Sequence, residues 1–163
     1  MILRTEIIEF DLLGARFTDI ASEASSAILQ GLREAAFISE IIVAAKTPVD
    51  EGLTRAAWRT AITPTGAELV NDSPVALYLE EGTRPHRPPL LPIVRWLSRK
   101  EGRGAAVETL ADADDDIVAR AMGIVASIAR NGTKAHYMLQ GSRKEIAKVT
   151  RQRIDKQLKR RIG

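Results

Sequence analysis

From Leu13 to Ile42, apolar side chains return every three or four positions: Phe17, Ile20, Ala21, Ala24, Ile28, Leu32, Ala35, Ile38 and Ile42. This spacing predicts a helix of roughly 30 residues, about 45 Å long at 1.5 Å per residue. It stops ahead of "TPVDEG", where Pro48 and Gly52 break the period. Upstream, "LRTEIIEFD" alternates weakly between apolar and polar positions, which predicts a short strand from Leu3 to Phe10.

Beyond the break the period changes. "RAAWRTAITPTGAELVND" predicts a hairpin, with strands over Ala56 to Thr63 and Ala67 to Asn71 and a turn at Pro64 and Gly66. "PVALYLEEG" predicts one or two helical turns closed by Gly82, since glycine suits the position just past a helix end. "RPHRPP" is too rich in proline for a helix or an inner strand and predicts a stiff extended loop. A short helix over "LLPIVRWLSRKEG" follows, then a polar connection through "KEGRGAAVETLADADDD".

Ile117, Val118, Ala121, Ile124, Val125, Ile128 and Ala129 mark a further core-facing helix behind the acidic run Asp112 to Asp116. Carboxylates favour that place because the unpaired amides of a helix N-terminus carry partial positive charge. A last helix begins near Ser142, with Ile146, Thr150, Ile154, Leu158 and Ile162 in steps of four. The predicted class is α+β, a long N-terminal helix and further helices packed on a small antiparallel sheet. Residues 1–163 read as a single domain, with the basic helix 142–163 as a partner-contacting extension.

Composition narrows the function classes. There is no cysteine, which removes disulfides, thiolate catalysis and sulfur-rich zinc sites together. Neither a charged-then-apolar leader nor a run of eighteen apolar residues is present, so a soluble, unsecreted chain is expected. The net charge of +3 hides a segregation. Residues 1–83 carry 6 basic and 13 acidic side chains, whereas residues 142–163 carry 9 basic and 2 acidic. An acidic front and a basic tail suit head-to-tail contact between copies, or contact with something anionic.

Two segments share a pattern, "GTRPH" from Gly82 and "GTKAH" from Gly132, and they contain both histidines of the chain. A zinc site needs three or four ligands converging at about 2.0–2.3 Å. Two histidines fifty residues apart do not supply them, and no metal ligand is assigned. The run Asp112, Asp114, Asp115, Asp116 lacks the glycine and closing glutamate of a calcium loop. No nucleophile elbow, P-loop, dinucleotide fingerprint or zinc-protease motif occurs, so no catalytic or cofactor-binding residue is assigned and a non-enzyme is expected. The basic tail can bind phosphates through counterion release, yet it has no aromatic side chain for stacking, and its apolar stripe implies packing on one side.

One succession of motifs rises above this background. "TPVDEGLTRAAW" (Thr47 to Trp58) leads through the hairpin to "VNDSPVALYLEEGTRPHRP" (Val70 to Pro88), then to "IVRWL" and later to "GTKAHYM" (Gly132 to Met138). This order resembles the tail-component or tail-completion family of tailed bacteriophages, small proteins of the head-to-tail joining region. Glu51 stands where that family usually has threonine, and Leu77 separates Ala76 from Tyr78.

The resemblance implies a structural virion protein of the neck, a homo-oligomeric ring around the DNA channel between head connector and tail tube, assembled in the host cytoplasm. A hexamer or dodecamer is expected. Its partners would be the head connector or stopper and the tail terminator or tail tube, and DNA would pass through without specific binding. Pro48 and Gly52 are expected to set the approach to the hairpin, and Trp58 and Tyr78 to anchor a small core. Gly82 and Thr83 are expected to shape the loop entry. Arg84, His86 and Arg87 on the proline-stiffened loop, with Lys134 and His136 on the second GT segment, are the expected subunit or partner contacts. The alternative is a small DNA-binding module that uses the basic C-terminal helix.

Overall fold

In the computed structural model the described residues are 3–103 and 107–162, with side chains described from Arg16 onward. They form α1 (Leu3–Lys46), α2 (Leu53–Ala56), β1 (Trp58–Thr63), β2 (Gly66–Asn71), α3 (Ala76–Glu81), α4 (Leu90–Lys100), α5 (Asp115–Asn131) and α6 (Arg143–Arg161). Single 3-10 turns at Leu110–Asp112 and Gln140–Ser142 precede α5 and α6. The class is α+β, with a long N-terminal helix and a two-stranded antiparallel sheet. The residues group into two compact units, each built from non-contiguous segments: Met1–Ala45, Trp58–Asn71 and Gly141–Gly163 in one, Lys46–Ala57 and Asp72–Gln140 in the other.

The first unit joins α1, the hairpin and α6. Helix α1 spans 44 residues, about 66 Å. The strand expected at Leu3–Phe10 is instead the first part of this helix. Leu3, Ile7 and Phe10 also satisfy helical spacing, and among the described residues the two strands of the sheet pair only with each other, from Trp58↔Asn71 to Thr63↔Gly66. Ala56 likewise belongs to α2, so β1 starts at Trp58.

The periodic apolar positions of α1 are not its buried ones. Phe17, Ile20, Ala21 and Ile28 are exposed, while Leu32, Ile38 and Ile42 are half-buried. The buried positions are Ala27, Gly31, Ala35, Ser39 and Val43, in steps of four. Small residues lie inside because α6 comes close. A Cβ at Gly31 would stand 2.7 Å from Ile154 Cα and 2.9 Å from Ile154 N.

Polar groups fix the register of this helix pair. Gln157, buried at 3% exposure, donates from Nε2 to Glu34 Oε1 at 2.6 Å, and Arg161 Nη2 donates to Gln30 Oε1 at 2.7 Å. The hairpin is tied to α1 through Thr60 Oγ1, which donates to Glu40 Oε2 at 2.8 Å, and through Arg33 Nη2, which donates to Thr63 O at 3.3 Å.

The second unit has its own apolar core, where Val94 and Leu97 of α4 meet Val107 and Ile117 and Ala121 of α5. Burying side chains of this kind contributes roughly 1.5–3 kcal/mol each relative to exposure. Met138 is buried at 1% exposure. The polar connection expected after α4 is tied down wherever it is described. Arg95 donates to Val107 O at 2.7 Å and Glu108 O at 2.9 Å, and Thr109 and Asp112 form a reciprocal capping box. Residues 104–106 of that connection lie outside the described residues. The acidic run is a helix start, as its composition implies: Asp114 is the N-cap of α5, and Arg103 binds Asp114 at 2.8 Å and Asp116 at 3.0 Å.

Candidate functional site

Two helices of the second unit end in the same way. Helix α3 closes on Gly82 (φ 74, ψ −173) and α5 on Gly132 (φ 70, ψ −163), and each cap amide returns to the last turn, to Tyr78 O and Ile128 O respectively. That region of backbone space belongs almost entirely to glycine. Each helix therefore releases an extended segment in a direction other residues do not permit.

The two released segments meet. Thr83 and Thr133 form an isolated antiparallel bridge. Thr83 N donates to Thr133 O at 3.1 Å, and Thr133 N donates to Thr83 O at 3.3 Å. Their hydroxyls lie 3.0 Å apart, and Thr133 N also donates to Thr83 Oγ1 at 3.0 Å. Both glycines are needed for this approach. A Cβ at Gly82 would stand 2.9 Å from Ala135 N and still closer to Thr133 O; one at Gly132 would stand 2.9 Å from Arg84 C and still closer to Thr83 O. The repeated pattern is one turn used twice, and the two uses clasp each other about a local twofold relation.

Further bonds hold the second segment against the end of α3. His136 N donates to Leu79 O at 2.8 Å and Tyr137 N to Glu80 O at 3.3 Å. The Glu80 carboxylate accepts from Leu139 N and Gln140 N, both at 2.8 Å. Tyr137 has φ 50, a left-handed conformation that costs a side chain of its kind about 1–2 kcal/mol. The clasp and Glu80 hold it there, with the residue 53% exposed.

The five expected contact residues, Arg84, His86, Arg87, Lys134 and His136, are all exposed. Continuing the bridge register places Arg84 opposite Gly132 and Lys134 opposite Gly82, so each cation faces a residue without a side chain. The His86 ring folds onto its own loop, with Nδ1 at 2.9 Å from Arg84 O, and its amide donates to Ile128 O at 3.4 Å. Beside the clasp, Leu77, Tyr78, Glu81, Gly82, Thr83 and Arg84 line an open hollow of about 450 Å³. Leu77 is 61% exposed there.

The expected anchor pair is corrected in part. Tyr78 is 58% exposed and buries no core; one turn upstream of Gly82, it lines the hollow instead. Trp58 opens β1 and is half-buried, in the other unit. Thr83 is half-buried within the clasp. Pro48 and Gly52 frame a loop that ends in α2, for which Gly52 is the N-cap at φ 85. That loop is held by Thr47, Asp50 and Arg55 of the quoted motif and by Arg99, which no motif marks. Thr47 is buried and its carbonyl accepts from Arg55 at 2.9 Å, while Arg99 binds Asp50 through two bonds, the shorter at 2.5 Å.

Glu80 and Thr133 are likewise partners that the sequence did not single out. The available signal was the duplicated Gly-Thr step itself, since two like helix ends with like exits can pair. Among the described residues, no group of three or more His, Asp or Glu side chains converges in a way that could hold a metal ion. Comparison with protein-family models, with curated proteins and with solved structures finds no match.

Proposed function

We propose that this chain is a non-enzymatic structural protein of the neck of a tailed phage, a tail-completion ring around the DNA channel between head connector and tail tube. The observation that carries the reading is the Thr83–Thr133 clasp. The segments that bear the family resemblance are distant in sequence, and the clasp joins two of them into one exposed surface with Arg84, Lys134, Tyr78 and Tyr137 on or beside it. A loop stiffened by three prolines and held by main-chain bonds loses little entropy on docking, which suits a protein contact.

Exposed large apolar side chains also support assembly. Phe17, Phe37, Ile41, Leu53, Leu77 and Tyr78 are each more than half exposed and offer apolar area for contact with other chains. The segregated charge fits heterologous contacts, which bring unlike surfaces of one chain together. A tight phosphate grip at the channel wall would oppose DNA passage, so α6 is assigned away from the lumen.

The test is electron microscopy of the full chain at high concentration. The reading expects closed rings with an axial opening wide enough for duplex DNA; open filaments or featureless monomers contradict it. A second reading, a DNA-binding module, is favoured by the basic residues that α6 exposes, among them Lys148, Arg151, Lys156 and Lys159. It requires duplex binding at about 50 mM salt whose affinity falls steeply as salt rises.

A further inference from the structure

Helix α1 carries an apolar face that no described part of its own unit covers. Arg16 through Glu23 are all exposed, and Phe17, Ile20, Ala24 and Ile28 share one side of the helix by their spacing. Phe17 is 66% and Ile20 49% exposed. Glu23 adjoins this stripe beside Ile20, and residues 3–26 carry five acidic and two basic side chains.

The second unit carries a surface of opposite character. An open groove of about 730 Å³ runs between the proline loop and α5, lined by Pro89, Met122, Ala126 and Ala129, with Arg87 and Arg130 as its charged residues. Among the described residues, no acidic side chain lines it. The small residues of α5 leave room for a neighbouring helix, and Met122, 55% exposed, is an adaptable apolar contact.

We propose that this groove receives the N-terminal arm of α1 from a second copy of the chain, with Phe17 and Ile20 on the Met122–Ala126–Ala129 face and Glu23 near Arg87 and Arg130. The apolar stripe matches the apolar lining, and the acidic arm matches two cations. The contact is heterologous, because arm and groove are different surfaces, so each copy offers one of each and the assembly propagates until a ring closes. The inference rests on the assembly reading and specifies one contact between copies, beside that of the clasp surface.

The absence of cysteine makes the test clean. Ile20→Cys and Ala129→Cys chains, distinguished by a mass tag, are mixed at concentrations where the wild type assembles, and then oxidised. The proposal expects the mixed disulfide to exceed either symmetric one. Predominance of the disulfide that joins two Ile20→Cys chains, or no cross-link in a chain that assembles, overturns it while leaving the ring reading intact. Mixed disulfides in open filaments would keep the docking and remove the ring. Phe17→Glu should weaken association roughly tenfold or more with helix content unchanged, and Arg130→Glu should do the same until combined with Glu23→Arg. Failure of that charge swap to restore association counts against the pairing.

Discussion

Thr83 and Thr133, fifty residues apart, exchange main-chain hydrogen bonds in both directions and hold their hydroxyls 3.0 Å from each other. The glycines before them make the approach possible, since each lies where the partner's backbone leaves no space for a Cβ. Gly132→Ala and Gly82→Ala therefore face both backbone strain and collision, and each should lower stability by about 3 kcal/mol or more. Gly52 also has positive φ, but open space surrounds it. Gly52→Ala should cost only about 1–2 kcal/mol. Urea unfolding of the three variants checks the ranking.

Glu80 acts as an anionic clamp on the second GT segment, accepting two amides at 2.8 Å. Glu80→Ala should cost about 2–3 kcal/mol, because bonds to a charged acceptor are the stronger kind. It should also speed tryptic cleavage after Lys134, because the segment that follows is held to Glu80 at Leu139 and Gln140. Unaltered cleavage would show that the main-chain bonds suffice without the carboxylate.

Gly31 sets the distance between α1 and α6. Alanine is the better helix former by about 0.5–1 kcal/mol, yet its Cβ would press on the Ile154 backbone at 2.7 Å. Backbone yields less readily than a side-chain tip. Gly31→Ala should therefore destabilise by about 1–3 kcal/mol and accelerate amide exchange in α6. A gain in stability would contradict the close approach.

The Glu34 carboxyl lies below the usual carboxylate range, chiefly because Gln157 donates a hydrogen bond to it, with Gln30, Arg153 and Lys156 adding to the effect against partial burial. A depressed folded-state pKa contributes stability that is present above the ordinary carboxylate pKa and is lost as pH falls through the folded one. Gln157→Ala should flatten the acid limb of the stability–pH curve below about pH 5, relative to the wild type. Equal slopes for the two proteins would remove this pair as a source of acid sensitivity.

Local rules read from sequence succeeded where one residue decides the outcome. Gly82 ended its helix, the acidic run Asp112 to Asp116 led into α5, and the turn before Gly66 folded the hairpin. They failed where a partner decides. The period that runs through Phe17 and Ile20 marked the helix but not its packed face, which is chosen by how closely α6 approaches, and that selects Ala27, Gly31 and Ala35. Leu3–Phe10 satisfied both periods, and only its continuity with α1 resolved them. The clasp was half legible: the repeat announced two equal exits, while their pairing and the role of Glu80 depend on tertiary placement. Tyr78 illustrates the converse, an aromatic expected in a core and found on the surface beside the proposed contact.

Whether the clasp surface builds a ring is decided by the native mass of the full chain across a concentration series, beside an Arg84→Glu, Lys134→Glu variant. A discrete closed oligomer, a hexamer or dodecamer, is expected for the wild type, and a folded but smaller species for the variant. A wild type that stays monomeric throughout, or a variant that assembles equally well, would contradict the proposed assembly.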